Sequence, residues 1–228
     1  MRNALLLALV VAAVGAASGA AFAPARAGAP GFWAILLAVH AALVTIAFLR
    51  ARYDGDTWGW IVPSWGDFTR GFFVALVLFG SAYFATRAIA PAGTPREGWL
   101  VRLYLQLGSP EDLRAHTGLV ALAIVAMAFA EEVVWRGLVT TLLAELVGSR
   151  AAWVYAAGLY ALAHVPTMWA LRDGAAGPNP LLPLGALGCG LVLGAAARSF
   201  GRLVPGVVAH ALFDWCLIMM FRLWGPSV

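Results

Sequence analysis

The chain has 228 residues and a mass of 24.0 kDa; it is 62% hydrophobic and only 11% charged, with a mean hydropathy of +0.85. A soluble domain is about 45–50% apolar and about 25% charged, so too few charges remain to coat a water-facing surface, and an ordinary soluble enzyme is excluded. The formal charge is +4, but all 15 basic residues are Arg, scattered singly between apolar segments; this is the spacing of membrane-flank anchors rather than of a nucleic-acid surface, and no nucleic-acid partner is expected.

Seven apolar stretches follow in chain order, each bounded by Arg, Pro, Gly or acidic residues: Ala4–Ala23, Gly31–Leu49, Phe72–Ala90, Thr117–Val147, Ala151–Leu171, Leu181–Ala197 and Leu203–Trp224. At about 20 apolar residues per bilayer crossing, they predict an all-α, polytopic integral membrane bundle of about seven transmembrane helices. Residues 1–228 read as a single membrane-embedded domain, with N-terminal spans and interfacial segments over 1–115 and a core over 116–224. The first stretch reads as an uncleaved helix. A signal peptide ending at Ala21-Phe22-Ala23 would leave six spans, but the apolar run is longer than the usual hydrophobic region of such a peptide and Pro24 disfavours cleavage there.

Between the spans, the Arg50–Arg70 connection carries Asp54, Asp56 and Asp67 with Trp58, Trp60, Trp65 and Phe68, and reads as an interfacial segment. In the polar Pro91–His116 connection, Trp99, Leu100, Leu103, Tyr104 and Leu107 fall at helical spacing opposite Arg96 and Arg102, which predicts a helix flat on the membrane surface. The loop arginines divide seven against seven between the two sides, so the Arg bias sets no orientation. Cys189 and Cys216 lie inside apolar stretches with no zinc-type spacing and no reason for a disulfide.

Ionisable groups inside transmembrane segments are expensive and mark function by default. They gather in three places: Glu131-Glu132 with Arg136 in the fourth stretch, His164 in the fifth, and His210 with Asp214 in the seventh. Glu132 and Arg136 are i and i+4, with the acid N-terminal, the better order for an ion pair on one helix face. Glu131 is rotated about 100° away from Glu132, so one acid is held by Arg136 while the other stays free for chemistry. His210 and Asp214 are again i and i+4 and project together. Each cluster alone is compatible with a structural pair or a hydrogen-bonded interhelical residue; three on separate greasy spans argue for one buried site. His40 and His116 lack such companions: His40 reads as packing within the second span, His116 as the end of a span.

On these residues the sequence resembles the CPBP family, the CAAX prenyl protease and bacteriocin-processing group of intramembrane endopeptidases. That family carries EExxxR, FxxxH and HxxxN on separate membrane helices; here they read Glu131-Glu132-x-x-x-Arg136, Tyr160-x-x-x-His164 and His210-x-x-x-Asp214. Tyr160 for Phe keeps an aromatic ring. Asp214 for Asn is the larger departure, because the resemblance implies that this position and His210 polarise the scissile carbonyl, and a carboxylate donates no hydrogen bond unless protonated. Asp214 is then neutral, or it orients His210, or it leaves the oxyanion to His210.

No Ser or Cys sits beside a base at informative spacing, and Gly-x-Ser-x-Gly and His-Glu-x-x-His are both absent. The residues suit an activated water: Glu131, helped by His164, as base, Glu132 with Arg136 positioning the site, and His210 with Asp214 at the oxyanion. No cofactor is required on this reading. A zinc-dependent version would use Glu131, His164 and His210 as ligands with an open fourth position, and sequence does not choose between the two. Rivals from other classes are a proton-coupled transporter, which predicts inverted repeats or broken helices, with no repeat visible in the sequence, and a non-catalytic immunity or scaffold protein, favoured only by Asp214. The expected partners are membrane lipid and a peptide or protein with a membrane-associated tail, CAAX-like or a sorting or leader segment. The Ala- and Arg-rich, Lys-free composition suggests a bacterial inner membrane. Oligomeric state is not legible.

Overall fold

A computed structural model describes residues 2–55 and 59–225; Asp56 and Trp58 of the expected interfacial segment lie outside these described residues. The helices are α1 (Arg2–Ala21), α2 (Pro30–Tyr53), α3 (Asp67–Ile89), α4 (Glu97–Leu107), α5 (Pro110–Ala115), α6 (Thr117–Val147), α7 (Ala152–His164), α8 (Thr167–Ala170), α9 (Leu181–Phe200) and α10 (Val204–Met220). Their starts follow from local chemistry. Pro30, Pro110 and Pro205 occupy first-turn positions, where a missing N–H costs nothing, and the Ser109 hydroxyl accepts from Asp112 N at 3.1 Å to cap α5.

The all-α membrane bundle is what the composition predicts. Each of the seven apolar stretches is helical, although their lengths differ from the expected spans. Among the described residues α1, α2, α3, α6 and α9 are long and apolar enough to cross a membrane, while α10 is a shorter apolar helix. The fifth stretch departs most: instead of running to Leu171, α7 stops after 13 residues at His164, about 20 Å at 1.5 Å per residue against a hydrocarbon core of about 30 Å. The cause is Pro166, which has no N–H for the i→i−4 ladder, so the regular hydrogen bonding breaks there although Val165 keeps helical dihedrals. The freed carbonyl of His164 is taken by the Thr167 hydroxyl at 2.6 Å. His164 thus stands at a helix end rather than mid-span.

α10 packs between α3 and α6, α7 against α9 and α1, and α2 against α1 and α6. Small residues permit close crossings: a Cβ on Gly190 of α9 would lie 2.8 Å from the Ala157 Cβ of α7. Trp135, Val133, Val134 and Leu142 of α6 are buried at the centre, whereas Phe72, Phe73, Leu76 and Phe84 of α3 are more than half exposed, an apolar face of a size that only lipid or a partner covers. α4 forms where its periodicity predicts, but Trp99, Leu100 and Tyr104 are buried against the protein rather than turned outward. Polar contacts hold it there: Trp99 Nε1 donates to Gly177 O at 3.2 Å, and Tyr104 OH to Leu217 O at 3.1 Å. In the Arg50–Arg70 connection, Trp60 stacks on Phe48 while Trp65 is fully exposed.

Candidate active site

The Glu-Glu pair ends the regular part of α6, and residues Val133–Val139 continue it as a π-helical turn. Such turns are rare and often sit at functional sites. The wider turn is visible in Thr140, whose hydroxyl donates to Trp135 O, five residues back, at 2.8 Å. It keeps Arg136 stacked on Glu132: Arg136 Nη1 donates to Glu132 Oε1 at 2.9 Å, with Glu132 wholly buried. Arg136 also donates from Nη2 to Cys189 O of α9 at 3.2 Å and lies over the Tyr160 ring, 5.2 Å from its centroid. One guanidinium therefore ties together α6, α7 and α9.

Glu132 has a second partner. His210 of α10 donates from Nδ1 to the same Glu132 Oε1 at 3.1 Å, which directs the other ring nitrogen toward the neighbouring groups. His210 Nε2 stands 3.7 Å from Glu131 Oε2 and 3.8 Å from Asp214 Oδ2. Glu131 Oε2 also accepts the Tyr160 hydroxyl. Tyr160 lies edge-on to the His164 ring, with centroids 4.8 Å apart. His164 Nδ1 donates to Tyr160 O at 2.8 Å within its own helix, so the proton on that nitrogen is fixed and Nε2 is the free acceptor. The structure thus brings Glu131, Glu132, Arg136, His210 and Asp214 into one contact network, with His164 joined to it through Tyr160.

The two adjacent acids have different surroundings, as their angular separation predicts. Glu132 accepts hydrogen bonds from Arg136 and His210, whereas Glu131, among the described residues, meets a hydroxyl and imidazoles. Exposure runs from Glu132 at 0% to the Asp214 side chain at 29%, so the network opens toward Asp214 and His164. Among the described residues, no group of three or more His, Cys, Asp or Glu is arranged to hold a metal ion.

Sequence reasoning missed one member. His40 of α2, taken there for packing, is 1% exposed and directs Nε2 at Glu131 Oε1, 4.0 Å away. The signal is legible, since His40 is an ionisable residue inside a span; its companions lie on other helices, so no spacing along the chain pairs them. His116 sits at the junction of α5 and α6, exposed, with Nδ1 donating to Asp112 O at 3.0 Å, away from the site.

Residues 114–216 match the family described as type II CAAX prenyl endopeptidase, Rce1-like. The motif-bearing stretch is similar to that Rce1-like family. The match covers all three motifs and agrees with the CPBP resemblance read from them; over this stretch the chain is similar to CAAX-type intramembrane proteases, and its apolar helices point to an integral membrane protein. No curated protein and no solved structure matches the chain.

Proposed function

We propose that the chain is a glutamate-type intramembrane endopeptidase that hydrolyses a peptide bond in a membrane-associated peptide or protein tail. One observation carries the reading: adjacent Glu131 and Glu132 occupy different environments, one beside a hydroxyl and a histidine Nε2, the other locked to a guanidinium. Paired carboxylates held apart in this way divide into a working base and a fixed charge.

Glu131 takes a proton from a water molecule whose oxygen attacks the scissile carbonyl carbon. His164, with Nε2 free at the end of α7, helps orient that water. Negative charge develops on the carbonyl oxygen. His210 faces it with Nε2, and the Glu132 carboxylate on Nδ1 supports the doubly protonated ring that has a proton to offer there. Asp214 flanks His210 Nε2 and completes the oxyanion side in its neutral form. Collapse of the intermediate breaks the C–N bond, and the leaving nitrogen takes the proton that Glu131 carries. Arg136 holds Glu132, and through it His210, in register.

The substrate reaches the site from the side of Asp214 and His164, where the network is open. Membrane lipid and a membrane-anchored peptide tail are the proposed partners, and a bacterial inner membrane is the proposed location. The test is hydrolysis of quenched fluorescent tail peptides, prenylated and unprenylated, by purified protein in liposomes, together with metal analysis. The expected result is turnover that resists chelators and is abolished by Glu131→Gln. Turnover by a folded Glu131→Gln variant, or a requirement for stoichiometric zinc, would refute it.

A further inference from the structure

His40 belongs to α2, outside the stretch that matches the family, and the mechanism above gives it no part. Its geometry is nevertheless specific. Nδ1 donates to Leu36 O, one turn back, at 2.9 Å, so that nitrogen keeps its proton and Nε2 presents a lone pair. Nε2 is buried and, among the described residues, has no hydrogen-bond partner. A buried polar atom without a partner calls for an explanation, and helix packing alone would be served by Leu or Phe.

Nε2 points at Glu131 Oε1, 4.0 Å away. The two oxygens of Glu131 are thereby divided, since Oε2 has the Tyr160 hydroxyl and faces His210. The gap on the Oε1 side is too long for a hydrogen bond and small enough for a modest rotation of the carboxyl group to close. In the resting site an ionised Oε1 has no proton to give, and the lone pair waits. Once Glu131 has taken a proton from water, it becomes a donor in need of an acceptor. The groups facing His40 and Glu131 from the packed helices are His164 of α7 and His210 of α10; of these, His210 offers a donor, and His164 is directed to the water.

We infer that His40 is a positioning residue for Glu131: its Nε2 accepts a hydrogen bond from protonated Oε1 while the tetrahedral intermediate exists, and holds that proton until the leaving nitrogen takes it. No bond beyond those of the hydrolysis is made or broken. The inference rests on the glutamate-base reading of the site, and it places a working residue on a helix that carries no family motif.

His40→Phe removes the acceptor and keeps a planar ring; His40→Gln keeps an acceptor oxygen. Each is assayed in liposomes beside wild type and Glu131→Gln, with folding followed by thermal melting in detergent. For folded His40→Phe, kcat is expected to fall roughly 10–100-fold, the value of one hydrogen bond made only along the reaction path, with KM unchanged. His40→Gln is expected to recover most of that loss. Wild-type kcat in His40→Phe, or an equal loss in both variants at wild-type melting temperature, overturns the inference. If His40→Phe does not fold, His40→Gln decides: kcat within about tenfold of wild type supports the role, and a loss as deep as that of Glu131→Gln overturns it. Turnover by Glu131→Gln instead brings down the glutamate-base reading itself, so the two failures are distinguishable.

Discussion

Gly206 of α10 lies directly against the carboxylate of Glu132: a Cβ added there would stand 2.8 Å from Glu132 Oε2. The absence of a side chain lets α10 approach α6 closely enough for His210, one turn further on, to reach Glu132 Oε1. The crossing of these two helices and the hydrogen bond that aims His210 therefore depend on the same position.

Gly206→Ala is expected to displace Glu132 and tilt His210 away from the oxyanion side. Overpacking of this kind costs about 1–3 kcal/mol, and the turnover loss should exceed what the fall in thermal stability explains. Melting temperature and kcat measured together check this. A variant with wild-type turnover would show that the close approach is incidental to catalysis.

Arg136 and Glu131 should separate stability from chemistry. Arg136→Ala leaves Glu132 buried with His210 as its remaining ionic partner, and breaking a buried pair costs about 3–5 kcal/mol, so this variant is expected to unfold early or fail to accumulate. Glu131→Gln keeps the shape and accepts the Tyr160 hydroxyl as before; it should melt near wild type and cleave nothing. Equal destabilisation by both substitutions would reject the division between a fixed and a working acid.

Tyr160→Phe removes the hydroxyl that Glu131 Oε2 accepts. A buried acceptor losing its donor costs about 1–3 kcal/mol, so the melting temperature is expected to drop. The family motif carries Phe at this position, and turnover is accordingly expected to stay within about tenfold of wild type. A Tyr160→Phe protein that folds but is as inactive as Glu131→Gln would make the hydroxyl part of the chemistry rather than a support for Glu131.

Asp214 stands where the family motif has Asn, 3.8 Å from His210 Nε2. If it works in neutral form beside the oxyanion, Asp214→Asn preserves the shape and the donor, and activity near neutral pH is retained or increased. Asp214→Ala removes the donor, at a cost on the order of 10²–10³-fold in rate. Activity and bound metal are measured across the three proteins at several pH values. Asn as inactive as Ala, with metal lost from both, would replace the oxyanion role by a ligand role.

Much of this was legible in the chain. Sixty-two per cent hydrophobic residues with 11% charged leave no solvent-facing surface, so a membrane bundle follows from composition. The Glu132–Arg136 pair and the separate face of Glu131 follow from helical spacing, because i and i+4 neighbours meet within a single helix whatever surrounds it. The three motifs carry the resemblance to the CPBP family, because each is a spacing within one helix. Pro166 likewise announced a break, although the seven-stretch reading ran across it.

What only the tertiary structure decided concerns contacts between helices. The i,i+4 rule does not say that His210 pairs with Glu132 rather than chiefly with Asp214; that depends on how closely Gly206 lets α10 approach α6. Nor does it say that Tyr160 reaches Glu131 or that α4 turns its apolar face inward. His40 is the clearest case: on its own helix it is one polar residue among apolar ones, and its meaning lies in Glu131, 91 positions away (131−40) and 4.0 Å distant. Periodicity is a property of one helix and can be read along the chain. Which faces meet is set by the packing of all the helices together, so the partners of a buried side chain emerge only when the bundle closes.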